Sequence, residues 1–502
     1  MIIFGVGLSV LLILIVGIIV ARKVDGDSAN YLVAGRSLGV PLVAVSITAA
    51  AVDSNATVGN TDLSASFGFW AGASLAIGLA IALLLTGLFL AKPMNKLKLY
   101  TLADFFRRRY GRKVEVGSSI FMIFSFIILL AGNLVATGYL LNRFAGISYE
   151  WGVIITLVLV LAYTVGGGIF SDAYTAAIQT TITVVASISL IVWVGLQYGI
   201  IIPEGMGPFD FEQLTDPGMG APINWATLIS LGIGDLVAID FMQRIFSAKS
   251  PSVAQKACFY GAAGTLVIGV IFALVALTAS AALGLSMDDG PVLFTLLDEY
   301  APPLLAVLVL SGIVAASFST ASGAILATSA IAVRNIAGVR RIHSGAGKDP
   351  LLRWTRLTMI PICILAAMVA IRVSQTGILL TLAFDIMLAS LAAPLVLGLF
   401  WTRPGATAVI FGGLAGLGVR VVLLVLSPTM YGVPNDLLYF PNNAITSDLD
   451  GWSTLIAAAA GVGTYVLTGI LLPRTKEEQS RELEVEAEFS KEQEELLSPI
   501  GA

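Results

Sequence analysis

Residues 41–60 read P-L-V-A-V-S-I-T-A-A-A-V-D-S-N-A-T-V-G-N, and residues 222–240 read P-I-N-W-A-T-L-I-S-L-G-I-G-D-L-V-A-I-D. Each begins with a proline, runs apolar, and meets an aspartate, Asp53 or Asp235, near the depth of a membrane midplane. Each also carries poor helix formers there: Ser54, Asn55 and Gly59 in the first, Gly232 and Gly234 in the second. A carboxylate inside a bilayer costs several kcal/mol unless it is paired or hydrated. An interrupted helix frees carbonyl oxygens, and hard cations such as sodium need several oxygens. Glycine in a membrane helix also serves close packing, so neither stretch decides alone. Two interrupted helices at matching positions of two repeats are the stronger pointer to a transport site.

The rest of the chain agrees with a membrane setting. It has 502 residues, of which 12% are charged, and a mean hydropathy of +0.91. A soluble chain carries about 25% charged residues, and only a bilayer accommodates this much apolar surface with so little charge. The net charge of −4 supplies no basic field for nucleic acid. Cys258 and Cys363 each sit in an apolar run and read as packing residues. His343, the one histidine, lies in a polar Gly/Ser stretch and reads as a solvated loop residue. No histidine-based catalytic constellation or GxxxxGK phosphate loop is present, and no organic cofactor is expected.

Spans of about 20 apolar residues number thirteen: 2–21, 40–59, 70–91, 116–141, 151–168, 176–200, 223–244, 257–284, 302–330, 355–373, 377–400, 404–427 and 452–473. The run Ile2–Val20 lacks a basic leader and a small-residue cleavage site, so it is expected as a first span. One set of connections carries Arg22, Lys23, Lys92, Arg107, Arg108, Arg109, Arg112 and Arg403 among others; the alternate set carries Arg143 and Arg372. The positive-inside rule then places the N-terminus outside and the C-terminus in the cytoplasm of a plasma-membrane protein. Spans two to six (about 40–200) and seven to eleven (about 223–400) form an expected inverted five-helix repeat. Residues 1–473 make the transport domain, and 474–502 an acidic cytoplasmic tail, mobile or amphipathic, to which no chemistry is attached.

Four carboxylates lie within or near apolar runs: Asp53, Asp235, Asp240 and Asp385. Asp240 and Arg244, one turn apart, read as a structural ion pair. The ninth span, S-G-I-V-A-A-S-F-S-T-A-S-G-A from Ser311, crowds Ser317, Ser319, Thr320 and Ser322 together. Such hydroxyls often bond the carbonyl one turn back, but neighbouring Ser319 and Thr320 also offer the neutral oxygens that suit a monovalent cation.

Several segments in this order resemble the solute:sodium symporter family, which includes the sodium/proline and sodium/glucose carriers. They are Y-L-V-A-G-R-S-L-G from Tyr31, A-V-D-S from Ala51, Y-T-L-A-D-F-F-R-R-R-Y-G from Tyr100 and G-G-G-I-F-S-D-A-Y-T-A-A-I-Q from Gly166. Q-R-I-F-S-A-K-S from Gln243, A-A-S-F-S-T-A-S from Ala315 and A-P-L-V-L-G-L-F-W from Ala393 complete the set. The resemblance runs from about Leu38 to Trp401. It implies the all-α, thirteen-helix amino-acid/sodium symporter-type fold, with Na+ as coupling ion. It places sodium at the carbonyls of Ala51, Ser54 and Ala316 and the hydroxyls of Ser319 and Thr320, with Asp53 as a coupling or gating residue. Asn55, Leu231, Asp235, Ile239 and Asp385 are then the candidate solute-cavity residues. Two departures stand out. Where many members have W-T-D-x-x-Q, this chain has Tyr174, Thr175, Ala176, Ala177, Ile178 and Gln179; the aspartate that serves a second sodium in some relatives is missing, and Asp172 lies one turn earlier. Proline carriers place aromatic residues and a proline at the positions of Leu231, Asp235 and Ile239, which argues against proline as solute.

The expected activity is sodium-coupled import of a small organic solute by alternating access. The alternatives are a proton-coupled carrier titrating Asp53, Asp235 or Asp385, and a membrane sensor on a degenerate transporter fold, for which the tail after Pro473 leaves little chain. An enzyme is the least expected. With Asp53, Asp235 and Asp385 near the midplane and no lysine or arginine at comparable depth on their helices, an amine-bearing or zwitterionic solute fits better than an anion.

Overall fold

The computed structural model describes residues 2–24, 26–340, 349–435 and 437–497. His343 lies outside the described residues. The chain is helical almost throughout; its regular β structure among the described residues is one pair of two-residue strands, β1 (Thr429–Met430) and β2 (Val433–Pro434). Ten helices are long and apolar enough to cross a bilayer, and two bent pairs raise the number to as many as 12. Outward faces carry large apolar side chains, such as Phe4, Leu8, Leu11, Ile15 and Ile18 on α1 (Ile2–Ala21). In water that stripe would be a liability; against lipid tails it is the required surface.

The first bent pair is α2 (Val40–Ala51) with a π-helical turn, Asn55–Gly59, and α3 (Asn60–Phe67); the halves meet at 55°. After α4 (Phe69–Leu85) and a short amphipathic α5 (Leu102–Tyr110) come the long α6 (Arg112–Ala145) and α7 (Tyr149–Tyr198). The second bent pair is α8 (Ala221–Ile233), continued by a 3₁₀ turn to Val237, and α9 (Ile239–Ser247), at 46°. Then follow α10 (Pro251–Leu283), α11 (Pro303–Ile331), α12 (Pro350–Arg372), α13 (Thr376–Met387) and α14 (Ala393–Phe400). The chain ends with α15 (Ala406–Leu426), α16 (Trp452–Leu471) and α17 (Lys476–Leu497). Both breaks pack against α13, and α2 packs against α7, α9, α10 and α11. Cys258 and Cys363 are buried free thiols.

α7 is 50 residues long, which at 1.5 Å per residue is about 75 Å, over twice a hydrocarbon core. It is divided at Gly168, whose φ of 51° and ψ of −141° no side-chain-bearing residue adopts comfortably. A Cβ there would also lie 2.3 Å from the Tyr31 carbonyl oxygen. Sequence reading expects a gap over 169–175; the chain instead stays helical through those residues.

The lysine- and arginine-rich face is tied together by buried carboxylates. Asp104 of α5 meets Arg334 at 2.9 Å, and Glu115 of α6 meets Arg112 at 2.9 Å and Arg340 at 3.1 Å. Burial alone would push the Asp104 carboxyl up; Arg334 and Arg340 outweigh it and hold its pKa below the usual carboxylate range. The tail forms α17, which packs on α5. Arg107 donates to Glu488 at 2.6 Å, Arg108 pairs with Glu486, and Phe489 is buried against the Arg108 and Arg340 guanidiniums. Glu478 accepts the Ala406 N–H at 3.0 Å, capping the start of α15.

Gly168→Ala should destabilise the fold by roughly 1–3 kcal/mol from backbone strain alone, plus the clash with Tyr31. A lowered thermal midpoint of the purified protein, set against Gly166→Ala as a control whose Cβ meets only Ala21 at 3.5 Å, checks it.

Candidate functional site

At the first break, Val52 leaves helical geometry with φ −96° and ψ 71°. Asp53 restarts the chain as an N-cap residue does: its Oδ1 accepts the Ala56 N–H at 2.9 Å. Its Oδ2 accepts from Asn55 Nδ2 at 2.6 Å and from Asn133 Nδ2 of α6 at 2.8 Å. Asp53 is therefore buried on neutral donors. At the second break, Gly234 allows a close approach: a Cβ there would sit 2.2 Å from the Phe384 carbonyl of α13. The next residue is Asp235, 1% exposed, and neither of its carboxylate oxygens has a hydrogen-bond partner among the described residues.

Both aspartates line one internal cavity, together with Asp240, Phe241, Thr320 and Phe384. Its volume of ≈ 10 Å³ holds about one water, so the structure is closed around the site and leaves no room for an organic solute. Asp240 accepts from Arg244 Nη1 at 3.1 Å, the pairing expected from their spacing. Arg244 does more: it meets Asp172 of α7 at 3.0 Å and donates from Nε to Ser46 of α2 at 2.8 Å. Ser322 of α11 donates to Asp172 at 2.7 Å. One buried guanidinium thus holds α2, α7, α9 and α11 together. Asp53, Asp172, Asp235 and Asp240 against Arg244 leave a formal charge of −3 when all are ionised.

The hydroxyl cluster of α11 reaches the first break. Thr320 Oγ1 donates to the Ala50 carbonyl at 2.9 Å, while buried Ser319 Oγ has no partner among the described residues. Ala51 is the last residue of α2, where helix-end carbonyls lack intrahelical partners. Ser54 Oγ donates to Asn133 Oδ1 at 3.1 Å, and Ala316 lies buried one turn before Thr320.

The remaining candidates lie elsewhere. Asn55 is turned to Asp53 and Gly132, Leu231 packs against Gly78, and Ile239 is buried at the start of α9; none lines the central cavity. Asp385 corrects the expectation of three uncompensated carboxylates. It is ion-paired with Arg420 of α15 and accepts from Tyr431 at 2.7 Å and Thr454 at 3.2 Å. The cation comes from a helix outside the set on which the charge balance was drawn. A lone arginine inside the apolar run G-V-R-V-V-L-L-V is itself a signal of a buried partner.

A model of the sodium:solute symporter family matches residues 31–416. The chain is 27% identical over 372 residues to the high-affinity choline transporter 1 of Torpedo marmorata, covering 66% of this chain and 61% of that protein. It is 25% identical over 430 residues to the high-affinity proline transporter of Bacillus subtilis, covering 81% of this chain and 88% of the relative. The solved structure of a Na+-coupled sialic acid symporter, substrate-bound and outward-open, matches with a TM-score of 0.72 at 18% identity, over 94% of this chain and 98% of that one.

Arg420→Met should strand a buried carboxylate and cost roughly 3–5 kcal/mol. Arg420→Met with Asp385→Leu should recover most of that, as read from thermal unfolding of the purified variants.

Proposed function

The chain belongs to the sodium:solute symporter family, and we propose that it imports a small amine-bearing or zwitterionic solute, driven by the sodium gradient, by alternating access. The observation that carries the solute class is Asp235. A buried carboxylate without a partner loses its hydration for nothing, and it faces a cavity already holding Asp53 and Asp240. A bound ammonium supplies the missing charge, with Phe241 and Phe384 as aromatic walls that favour cations. Choline, the solute in the name of one group of relatives, has that chemistry.

Sodium sits, on this reading, between α2 and α11, on Ala51, Ser54, Ala316, Ser319 and Thr320. The Thr320–Ala50 bond supports this by bringing the two elements together. Asp53, held by Asn133, couples the site to α6. Asp172 is occupied by Arg244 rather than open to an ion, which supports one sodium per solute. The two bent pairs and the Gly168 break support thirteen spans in two inverted five-helix units. The N-terminus is then outside and the tail in the cytoplasm. A proton-coupled carrier is the second reading, favoured by the same unpartnered Asp235, which would be the titrating group.

Three outcomes follow in proteoliposomes. Ser319→Ala with Thr320→Val should raise the sodium concentration for half-activation roughly ten- to a hundredfold; unchanged sodium activation would remove the site. Asp235→Asn should raise KM for a cationic amine about thirtyfold or more; best uptake of a monocarboxylate, unaffected by the variant, would overturn the solute class. Reversal potentials should give one sodium per solute, and uptake driven by a proton gradient without sodium would favour the second reading.

A further inference from the structure

A cavity of ≈ 410 Å³ opens on the lysine- and arginine-rich face, between the end of α5, the starts of α6 and α15, and the tail helix α17. Where the central cavity is closed to ≈ 10 Å³, this one lies within the range of small-ligand pockets. No part of the transport reading uses it. Lysine and arginine supply seven of its lining side chains, against two carboxylates, Glu478 and Glu482 of α17.

Those cations are incompletely neutralised. Arg107 reaches Glu488 at 2.6 Å, and Arg108 pairs with Glu486. Arg112, 2.9 Å from Glu115, shares that carboxylate with Arg107 and Arg340. Arg109 donates to the carbonyls of Gly398, Trp401 and Pro404 and meets a carboxylate, Glu482, only at 4.0 Å. Glu482 is itself held by Arg474, and Glu478 is engaged by the Ala406 and Thr475 N–H groups. Lys113 is exposed, lines the cavity, and makes no ion pair or hydrogen bond among the described residues. Gly111 begins α6 without a side-chain cap, so the first N–H groups of that helix add to the positive field.

The bilayer reaches the rim of this cavity. Within about three turns of it, Ile120 and Phe124 of α6 and Phe411 and Leu414 of α15 are exposed apolar side chains. The two helices meet at the same level, where a Cβ on Gly413 would lie 3.5 Å from Phe121. Acyl chains lying on that seam bring their headgroup to the level of Lys113 and Gly405. A soluble anion gains nothing from such a seam.

We propose that this cavity binds the phosphate of an anionic phospholipid from the adjoining leaflet, on Lys113, Arg109 and Arg481, with α17 as its outer wall. Guanidinium and ammonium donors recognise phosphate oxygens as they do the carboxylates of the tail. The bound headgroup ties α6 and α15 to the tail helix, and the site is independent of the sodium and solute sites.

The test is binding of phosphatidylglycerol to the full chain in detergent, counted by native mass spectrometry in competition with phosphatidylcholine. Phosphatidylglycerol should be retained preferentially, with its affinity lowered about tenfold or more in Lys113→Glu and in Arg481→Glu. Lys256→Glu makes an equal charge change at an exposed lysine of the same face that does not line the cavity, and should leave the affinity unchanged. Because Lys113 holds no partner, its variant should keep the thermal midpoint of the parent chain. Inorganic phosphate, which has no acyl chains, should not displace the lipid. Equal retention of the two lipids would overturn the site. Equal losses in Lys113→Glu and Lys256→Glu would overturn it as well, leaving only the general charge of the face. Displacement by inorganic phosphate at matched concentration would overturn the lipid in favour of a soluble anion.

Discussion

Arg244 is 1% exposed and shared between Asp172 and Asp240, and the arrangement of the transport core depends on it. Breaking one partner from a buried guanidinium leaves an uncompensated charge in low dielectric, which is far costlier than losing a surface pair. Because Ser46 and Ser322 also bond within the cluster, the cost of disruption is spread over α2, α7, α9 and α11. Breaks in α2–α3 and α8–α9 are tolerable in a membrane only where protein groups satisfy the freed polar atoms. Asp53 does so locally at one break; at the other Asp235 does not, and its two carboxylate oxygens stay without a hydrogen-bond partner among the described residues.

How much of this was legible in the sequence depends on the distance between partners. Asp240 and Arg244 are four residues apart, and helical periodicity alone pairs them. Asp172 and Arg244 are 72 apart, and Asp385 and Arg420 are 35 apart and on different helices. No local pattern encodes such pairs. The breaks themselves were readable, because proline, glycine and Asp-Ser-Asn act on the backbone next to them. The crowding of Ser319 and Thr320 was readable too, though only the fold brings Thr320 to Ala50. Leu231 and Ile239 were placed by alignment to other carriers; both are buried, and neither lines the central cavity of this structure. The pairing of the tail was not legible locally, because Glu488 and Glu486 meet Arg107 and Arg108 from far along the chain.

Asp385 illustrates how an intramembrane carboxylate finds its counter-charge on a helix distant in sequence. Arg420, Tyr431 and Thr454 converge on it, and Tyr431 is itself held by its N–H to Asp450 at 2.9 Å. The β1–β2 turn is thereby anchored to α13, the element against which both breaks pack. Any tilt of α13 must either carry that turn with it or release the carboxylate, so the ion pair ties the position of the turn to that of the helix.

The tail helix has a consequence of another kind. Its pairs with α5 are partly exposed, with Glu486 and Glu488 nearly half open to solvent. Mobile ions screen such pairs over a Debye length of about 8 Å at physiological ionic strength and about 3 Å at 1 M salt. The Arg244 cluster, shut away from solvent, is screened far less. The molecule therefore contains two electrostatic populations that respond unequally to the medium. A rise in ionic strength on that side of the membrane loosens the grip of the tail on α5 and leaves the Arg244 cluster as it was.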